Sequence, residues 1–190
     1  MGKALRHIPV KLVVGLISAR PSRFTLVRHI LEKKFGKIDN ESGTFNFSCT
    51  PYYEKEFGQN LKRKFFSFKR PVRLRKNYRI KLYTNSVEKK LSEKNARTIN
   101  IDPGYVSLTK LVLFTTKNRS HRIYIDEGIY ADLELQFSNK SFRALPWTYP
   151  DYKTDAYIEF FNSVRSAYLE QVKKITFEAA PCVLSRQARL

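Results

Sequence analysis

The sequence predicts an α+β fold, a mixed and mostly antiparallel sheet carrying three to four helices in a single domain. Three observations point there. The aromatic content, with 14 Phe and 11 Tyr against one Met, belongs to strands packed on helices rather than to a helical bundle. Short stretches alternate apolar and polar residues with period two, while others repeat apolar residues every three or four positions. A run that folds back at Asp126-Glu127-Gly128 alternates on both sides, as a hairpin does. Strands are expected to outnumber helices. At 190 residues the chain suits one domain over 9–175, preceded by an extension (1–8) and followed by a flexible tail (176–190).

The elements follow in order. Val10 to Ile17, "VKLVVGLI", is rich in β-branched residues and reads as a strand buried on both faces. Phe24, Val27, Ile30, Leu31 and Phe35 then share helical spacing, with Ser22 as N-cap and Gly36 at the left-handed C-terminal position. "GTFNFSC" alternates as a strand, which completes a β-α-β opening. A short helix is expected from Asn85, with Glu88 closing a capping box, and residues 97 to 106 return to strand. In the tetrad Asp102-Pro103-Gly104-Tyr105, Pro and Gly occupy the two central positions of a type II turn. A helix from Ser107 to Lys117 is expected next, then the hairpin. Tyr157, Phe160, Phe161, Val164, Tyr168 and Val172 form the apolar stripe of the last helix.

Composition narrows the function classes. A net charge of +19 opposes compaction through self-repulsion and fits an anionic partner. Cys49 and Cys182 form no CxxC, and His7, His29 and His121 share no ligand spacing, so no metal site is expected. No apolar run reaches the roughly 18 residues that span a bilayer. The opening "MGKALRHIPVKLVVGLISA" imitates a signal peptide, but Lys11 interrupts it, and Arg6 stands where myristoylation after Gly2 needs Ser or Thr. A cytoplasmic protein is the expectation.

The segments "VKLVVGLIS", "LKRKFFSF", "NIDPGYVSLTKLVLFTTKNRSHRIYI" and "LPWTYPDYKTDAYIEFFNSVR" together resemble the bacterial family known as domain of unknown function 4416, across most of residues 9 to 170. The resemblance implies no reaction, cofactor or catalytic residue. Members of that family are sometimes labelled GTP-binding. A P-loop needs the spacing GxxxxGK[ST], because its amides wrap the phosphates and its lysine reaches them; none of the seven glycines here forms it. Asn139-Lys140-Ser141-Phe142, the nearest base-reading pattern, lacks the Asp that would bind guanine. A Ras-type GTPase is excluded on that chemistry.

Candidate site residues cluster between Asp102 and Arg122. On the expected helix Lys110 and Lys117 lie along one line, spaced to hold a phosphate-bearing ligand, and the helix start near Ser107 offers free amides to an anion. His121 and Arg122 open the next strand on opposite faces, so only one joins Lys117. A histidine exchanges protons near neutral pH, whereas an arginine is a fixed bidentate fork for phosphate. Asp102 would act as general base, metal ligand or orienter of His121. The segment 61–76, "LKRKFFSFKRPVRLRK", packs eight basic residues and three Phe into sixteen positions without an acid. Cations neutralise phosphates while rings stack on unpaired bases, which nominates Lys62, Arg63, Lys64, Arg73 and Arg75. Alternation offers the plainer reading, with Phe66 and Phe68 in the core and the cations on a solvated edge. Likewise Trp147, Tyr149, Tyr152 and Tyr157 form either an aromatic wall for a base or sugar, or the packing of a C-terminal helix.

Three functions stay open on sequence alone. The first is a domain binding a phosphate-rich ligand, nucleotide or RNA, through Lys110, Lys117, Arg122 and the basic segment. The second is an enzyme acting on a phosphorylated small molecule, with Asp102 and His121 as acid-base groups. The third is a basic scaffold that binds another protein. Neither the cofactor nor the oligomeric state is legible.

Overall fold

The computed structural model describes residues 2–4, 7–50 and 53–178. Its centre is β1 (Lys11–Ser18), whose eight residues are all buried, as its β-branched composition requires. Two antiparallel neighbours enclose it: β4 (Lys62–Phe68) and β5 (Asn100–Val106). The sheet continues outward through β2 (Ile38–Glu41) on one side and β6 (Lys110–Thr115), β8 (Ile129–Ser138) and β7 (Arg122–Asp126) on the other, in the order β2-β4-β1-β5-β6-β8-β7. Two short strands attach at the side, β3 (Phe45–Asn46) to β4 and β9 (Ser141–Ala144) to β8. All these pairings are antiparallel.

Three long helices cover the sheet. Alternation along β1 sends Leu12, Val14 and Leu16 to one face, where α1 (Ser22–Phe35) and α3 (Tyr78–Lys90) supply Phe24, Val27, Leu31 and Val87. Val13 faces the other way, toward α4 (Asp155–Glu178), whose stripe of Tyr157, Phe161 and Val164 completes the second core. A single turn, α2 (Glu54–Phe57), and a 3-10 turn at Pro150–Lys153 lie beside that second core. None of the described helices is long and apolar enough to cross a membrane.

Several local expectations are corrected. Ser22 is the first residue of α1 and makes no cap; the N-cap position is Pro21. Gly36 does take a positive φ of 93° while its N–H bonds Glu32 O. "GTFNFSC" contributes only the two residues of β3, and β2 makes the longer pairing with β4. α3 begins at Tyr78 rather than Asn85, and Glu88 is no capping partner: its carboxylate accepts the Ile101 N–H across 2.6 Å. The expected tail falls partly on α4, and its remainder, 179–190, lies outside the described residues.

The main correction concerns 102–117. Asp102-Pro103-Gly104-Tyr105 forms no turn; it runs inside β5, with Pro103 opposite Val14 and Gly104 opposite Val13. Nor is there a helix at 107–117. Ser107 instead closes a tight β5–β6 turn: its N–H bonds Lys110 O at 2.9 Å, and its Oγ accepts the amides of Thr109 and Lys110. The central run "LVLF" is buried on both faces, and a fully buried strand carries no alternation to distinguish it from a buried helix.

Pro103 has a structural consequence. It offers no N–H to a ladder, and pairing between β5 and β6 begins only one residue later, at Gly104↔Leu113, ending at Val106↔Leu111. At Gly104 the strands close so tightly that a Cβ would stand 2.3 Å from the Val112 carbonyl oxygen. Ahead of that point, residues 100–103 pair with β1 alone, which leaves a gap in the sheet beside Asp102.

Candidate functional site

Gly15 lies at the middle of β1, between Phe65 of β4 and Asp102 of β5. A Cβ there would come within 2.9 Å of the Phe65 ring and 3.4 Å of an Arg63 nitrogen. The missing side chain leaves room for Arg63 to lie across the sheet on the α4 side. Its guanidinium sits 5.0 Å from the Phe65 ring centre and 5.1 Å from that of Tyr152. One terminal nitrogen donates to Asp151 Oδ2 at 3.0 Å, and the other lies 3.4 Å from Asp102 Oδ2. Burial opposes its charge, but Tyr152, Asp151 and Asp102 outweigh that effect and raise its pKa above the ordinary value. Only 3% of the side chain is exposed, so Arg63 does not belong to a solvated edge.

Asp102 projects into the gap beside β6 and is 25% exposed. Asn100 Nδ2 donates to it at 2.6 Å, and Lys81 of α3 places its Nζ 3.6 Å away while also donating to the Ile101 carbonyl. Cations from both faces of the sheet therefore share this carboxylate.

On β8 the register shifts: Leu111 faces Leu135, but Val112 faces Leu133. Glu134 is the extra residue, and such bulges commonly re-aim a side chain. Its Oε1 accepts the Tyr149 N–H at 2.6 Å. Burial pushes the Glu134 carboxyl up to about 8; the Tyr149 N–H and Arg63 pull it down, and the neighbouring Asp132 and Asp151 push it further up. Asp132 accepts Arg122 Nε at 2.8 Å through Oδ2, and its Oδ1 stands 3.5 Å from His121 Nε2. His121 stacks on Trp147, with ring centres 5.3 Å apart and planes 12° apart. Trp147 and Tyr149, each 40% exposed, form the rim.

These groups converge. Arg122, Asp132, Asp102 and Glu134 all act on the Tyr149 hydroxyl, although its own burial is the main cause of its raised pKa. Tyr152 is likewise pushed well up, chiefly by burial, with Arg63, Asp151, Asp102 and Glu134 around it. Four buried side-chain atoms among the described residues lack a hydrogen-bond partner: Arg63 Nε, Asp132 Oδ1, Glu134 Oε2 and Tyr152 OH. All four belong to this one cluster. Buried polar atoms are normally satisfied because each lapse costs about 1–3 kcal/mol, so this cluster is where the described fold would accommodate a further donor or acceptor.

A cleft of about 310 Å³ opens at the end of the central strands where β1 leads into Ala19 and Arg20 and where Arg97 and Thr98 precede β5. Ligand sites begin at about this volume. α2 stands between cleft and cluster: Phe57 lines the cleft and stacks on Tyr53, whose hydroxyl feels Asp102 and Arg63. Arg97 joins the two, holding Glu56 at 2.6 Å and donating to Asn100, which in turn holds Asp102. Among the described residues no group of three or more His, Cys, Asp or Glu is arranged to hold a metal ion.

The residues nominated from sequence separate into distinct places. Asp102 and His121 both border the cluster, but each has its own partners, and the carboxylate beside His121 is Asp132. Arg122 is fully engaged by Asp132, the Lys117 carbonyl and the Tyr149 hydroxyl. Lys110 opens β6 and Lys117 follows its end, so the two sit at opposite ends of a strand rather than on one helix line. Ser107 spends its hydroxyl on the β5–β6 turn. Lys62 bonds Asn46 and Lys64 pairs with Glu41, both at the sheet surface. Arg73 and Arg75 are exposed on the loop before α3. Asp132, Glu134 and Asp151 escaped the sequence reading. In "ADLELQF" the acids alternate with leucines, which reads as a solvent face, and nothing in that pattern announces the bulge.

A family model described as "Domain of unknown function (DUF4416)" matches residues 8–168. No curated protein matches the chain, and no solved structure does.

Proposed function

Because the chain belongs to the DUF4416 family, a family defined by shared sequence and not by a reaction, we propose a function from the site alone: acid-base chemistry on a small polar molecule. Glu134 is the general acid and Asp132 the general base. The observation that carries this reading is the collection of all four unpartnered buried atoms in one cluster. A carboxyl near 8 holds its proton at neutral pH, and an adjacent carboxylate with a free oxygen can take one. His121 connects Asp132 to solvent at the Trp147 rim, and Asp102 with Asp151 fixes Arg63.

The charges of the cluster also restrict the ligand. Asp102, Asp132 and Asp151 are matched by Arg63, Arg122 and Lys81, and Glu134 is neutral, so no cation is left over for a phosphate. A phosphate dianion is disfavoured at such a place, whereas hydroxyl or ammonium donors complement it, and an exposed indole covers the flat face of a ring. This favours a polyol, an amino alcohol or an amino sugar over a nucleotide. Trp147 is the single tryptophan, so its emission reports on the rim. The test is a titration of such compounds against that emission, repeated with Glu134→Gln and Asp132→Asn. Binding that weakens in both variants supports the reading; binding indifferent to both refutes it.

A further inference from the structure

The opposite end of the sheet carries a different chemistry. β4 ends beside the start of β1, since Ser67 pairs with Val13, and Lys69 and Arg70 emerge there. Lys69 N–H bonds the Lys37 carbonyl at 2.8 Å, and Arg70 packs beside Gly36 at the end of α1. Val72 bridges back to Val10, which sets Arg73 and Arg75 on the same end. The chain then enters α3, where Arg79 lies one turn from Tyr83, and the Tyr83 ring carries Lys34 of α1 at 5.0 Å. Lys37, Lys69, Arg70, Arg73, Arg75 and Arg79 are all exposed.

Two features mark this surface: six cations gather at one end of the sheet with no acid among them, and a helix begins there. Arg20 and Arg97 at the cleft and Arg28 and Lys64 beside β2 each meet a carboxylate, whereas other exposed cations among the described residues, Lys140 and Arg143 included, do not. Among the described residues, none of the six here is paired with an acid. In addition, Lys76 and Arg79 flank the N-terminus of α3, which has no acid in its first turn. That is the positive end of a helix, where cations are unfavourable and anions are welcome. The local sequence therefore works against the stability of α3 in a way that an external anion would relieve.

We infer that this end of the sheet, formed by the close of α1, the β4–α3 loop and the first turn of α3, is a docking surface for a nucleic-acid duplex, held through its phosphates. Six exposed cations spread over the close of α1, the β4–α3 loop and the first turn of α3 suit a repeating polyanion better than a single small phosphate. Phe35 and Tyr83 pack on each other, ring centres 5.6 Å apart, and the exposed aromatic side chains among the described residues, Tyr124, Trp147 and Tyr149, lie on other elements. Without rings to stack on bases, single strands lose their main sequence-independent grip, whereas a duplex presents two rows of phosphate. Leu82 is the one large exposed apolar residue on α3, too little to anchor in a bilayer.

The test uses the full chain and a fluorescently labelled RNA duplex of about two helical turns, with binding followed by anisotropy over a salt series. A DNA duplex, an RNA single strand and phosphatidylserine-phosphatidylcholine vesicles serve as competitors. Expected is duplex binding whose logarithm falls linearly with log salt, losing about 0.9 per phosphate neutralised. R73E with R75E changes two exposed loop residues; it should lower affinity at least about tenfold and flatten the slope by about 2. K140E with R143E, on the β8–β9 hairpin, removes the same charge and should stay within about twofold. Equal loss in both variants overturns the assignment, because net charge then explains the binding. Preference for vesicles or for the single strand, or the absence of salt-dependent binding, overturns it as well. The site around Glu134 is untouched by either variant, so this outcome is independent of the acid-base reading.

Discussion

Replacing Glu134 with glutamine should change the pH dependence of stability in a defined direction. The side chain is fully buried, and its carboxyl is raised from the ordinary 4.5 to about 8 by burial first, with Asp132 and Asp151 adding to it. Below about pH 4 the group is protonated in both the folded and unfolded chain and costs nothing. Between those values the folded chain keeps a proton that the unfolded chain has lost, so stability falls as pH rises. Above 8 both forms are ionised and the penalty is complete. Each unit of difference is worth ~1.4 kcal/mol, which places the whole penalty on the order of 5 kcal/mol. Glutamine keeps an oxygen for the Tyr149 N–H and has no proton to lose. Urea unfolding of both proteins at pH 5, 7 and 9 is the assay. The stability difference, variant minus wild type, should climb by several kcal/mol from pH 5 to pH 9. Parallel curves across that window would refute the account of Glu134 as a carboxylic acid held neutral by its surroundings.

Other perturbations test the scaffold. Arg63→Met leaves Asp151 facing no cation at 3.0 Å and should destabilise by about 3–5 kcal/mol in chemical denaturation; adding Asp151→Asn should recover part of that loss. Gly104→Ala forces a Cβ against the Val112 carbonyl oxygen and should cost at least about 2 kcal/mol in the same measurement. Glu56→Ala releases α2 from Arg97: global stability should change by less than about 1 kcal/mol, while amide exchange across 53–58 accelerates, because that turn opens without global unfolding.

Elements with a strong local pattern were more legible than those fixed by pairing across the sheet. β1 and the α4 stripe announced themselves because burial on both faces and helical spacing are local patterns, and the Asp126-Glu127-Gly128 turn is written in the φ values of 49° and 73° that Glu127 and Gly128 adopt. The stretch 102–117 misled for a physical reason. Pro-Gly has the same local preference in a turn as at an interrupted strand, and what decided between them was β1, whose neighbourhood is nearly ninety residues away. Site residues followed the same division. Asp102 and His121 stood out by type, yet the choice of Asp132 as the carboxylate beside His121 depends on β7–β8 register. Arg63 looked like one cation of eight in a basic run. Gly15, on another strand, is what lets it lie inward.

A continuous β-sheet is an insulator: helices on its two sides exchange little beyond pressure transmitted through packed side chains. The opening beside Pro103 breaks that insulation at one point. Lys81, carried by the helix on one side, and Arg63, turned to the other, contact opposite oxygens of the same Asp102 carboxylate. Whatever shifts α3 must redistribute charge on that carboxylate and so reposition Arg63. Crosstalk between the two layers then needs no motion of the sheet itself, only the few ångströms of travel that a lysine side chain already possesses.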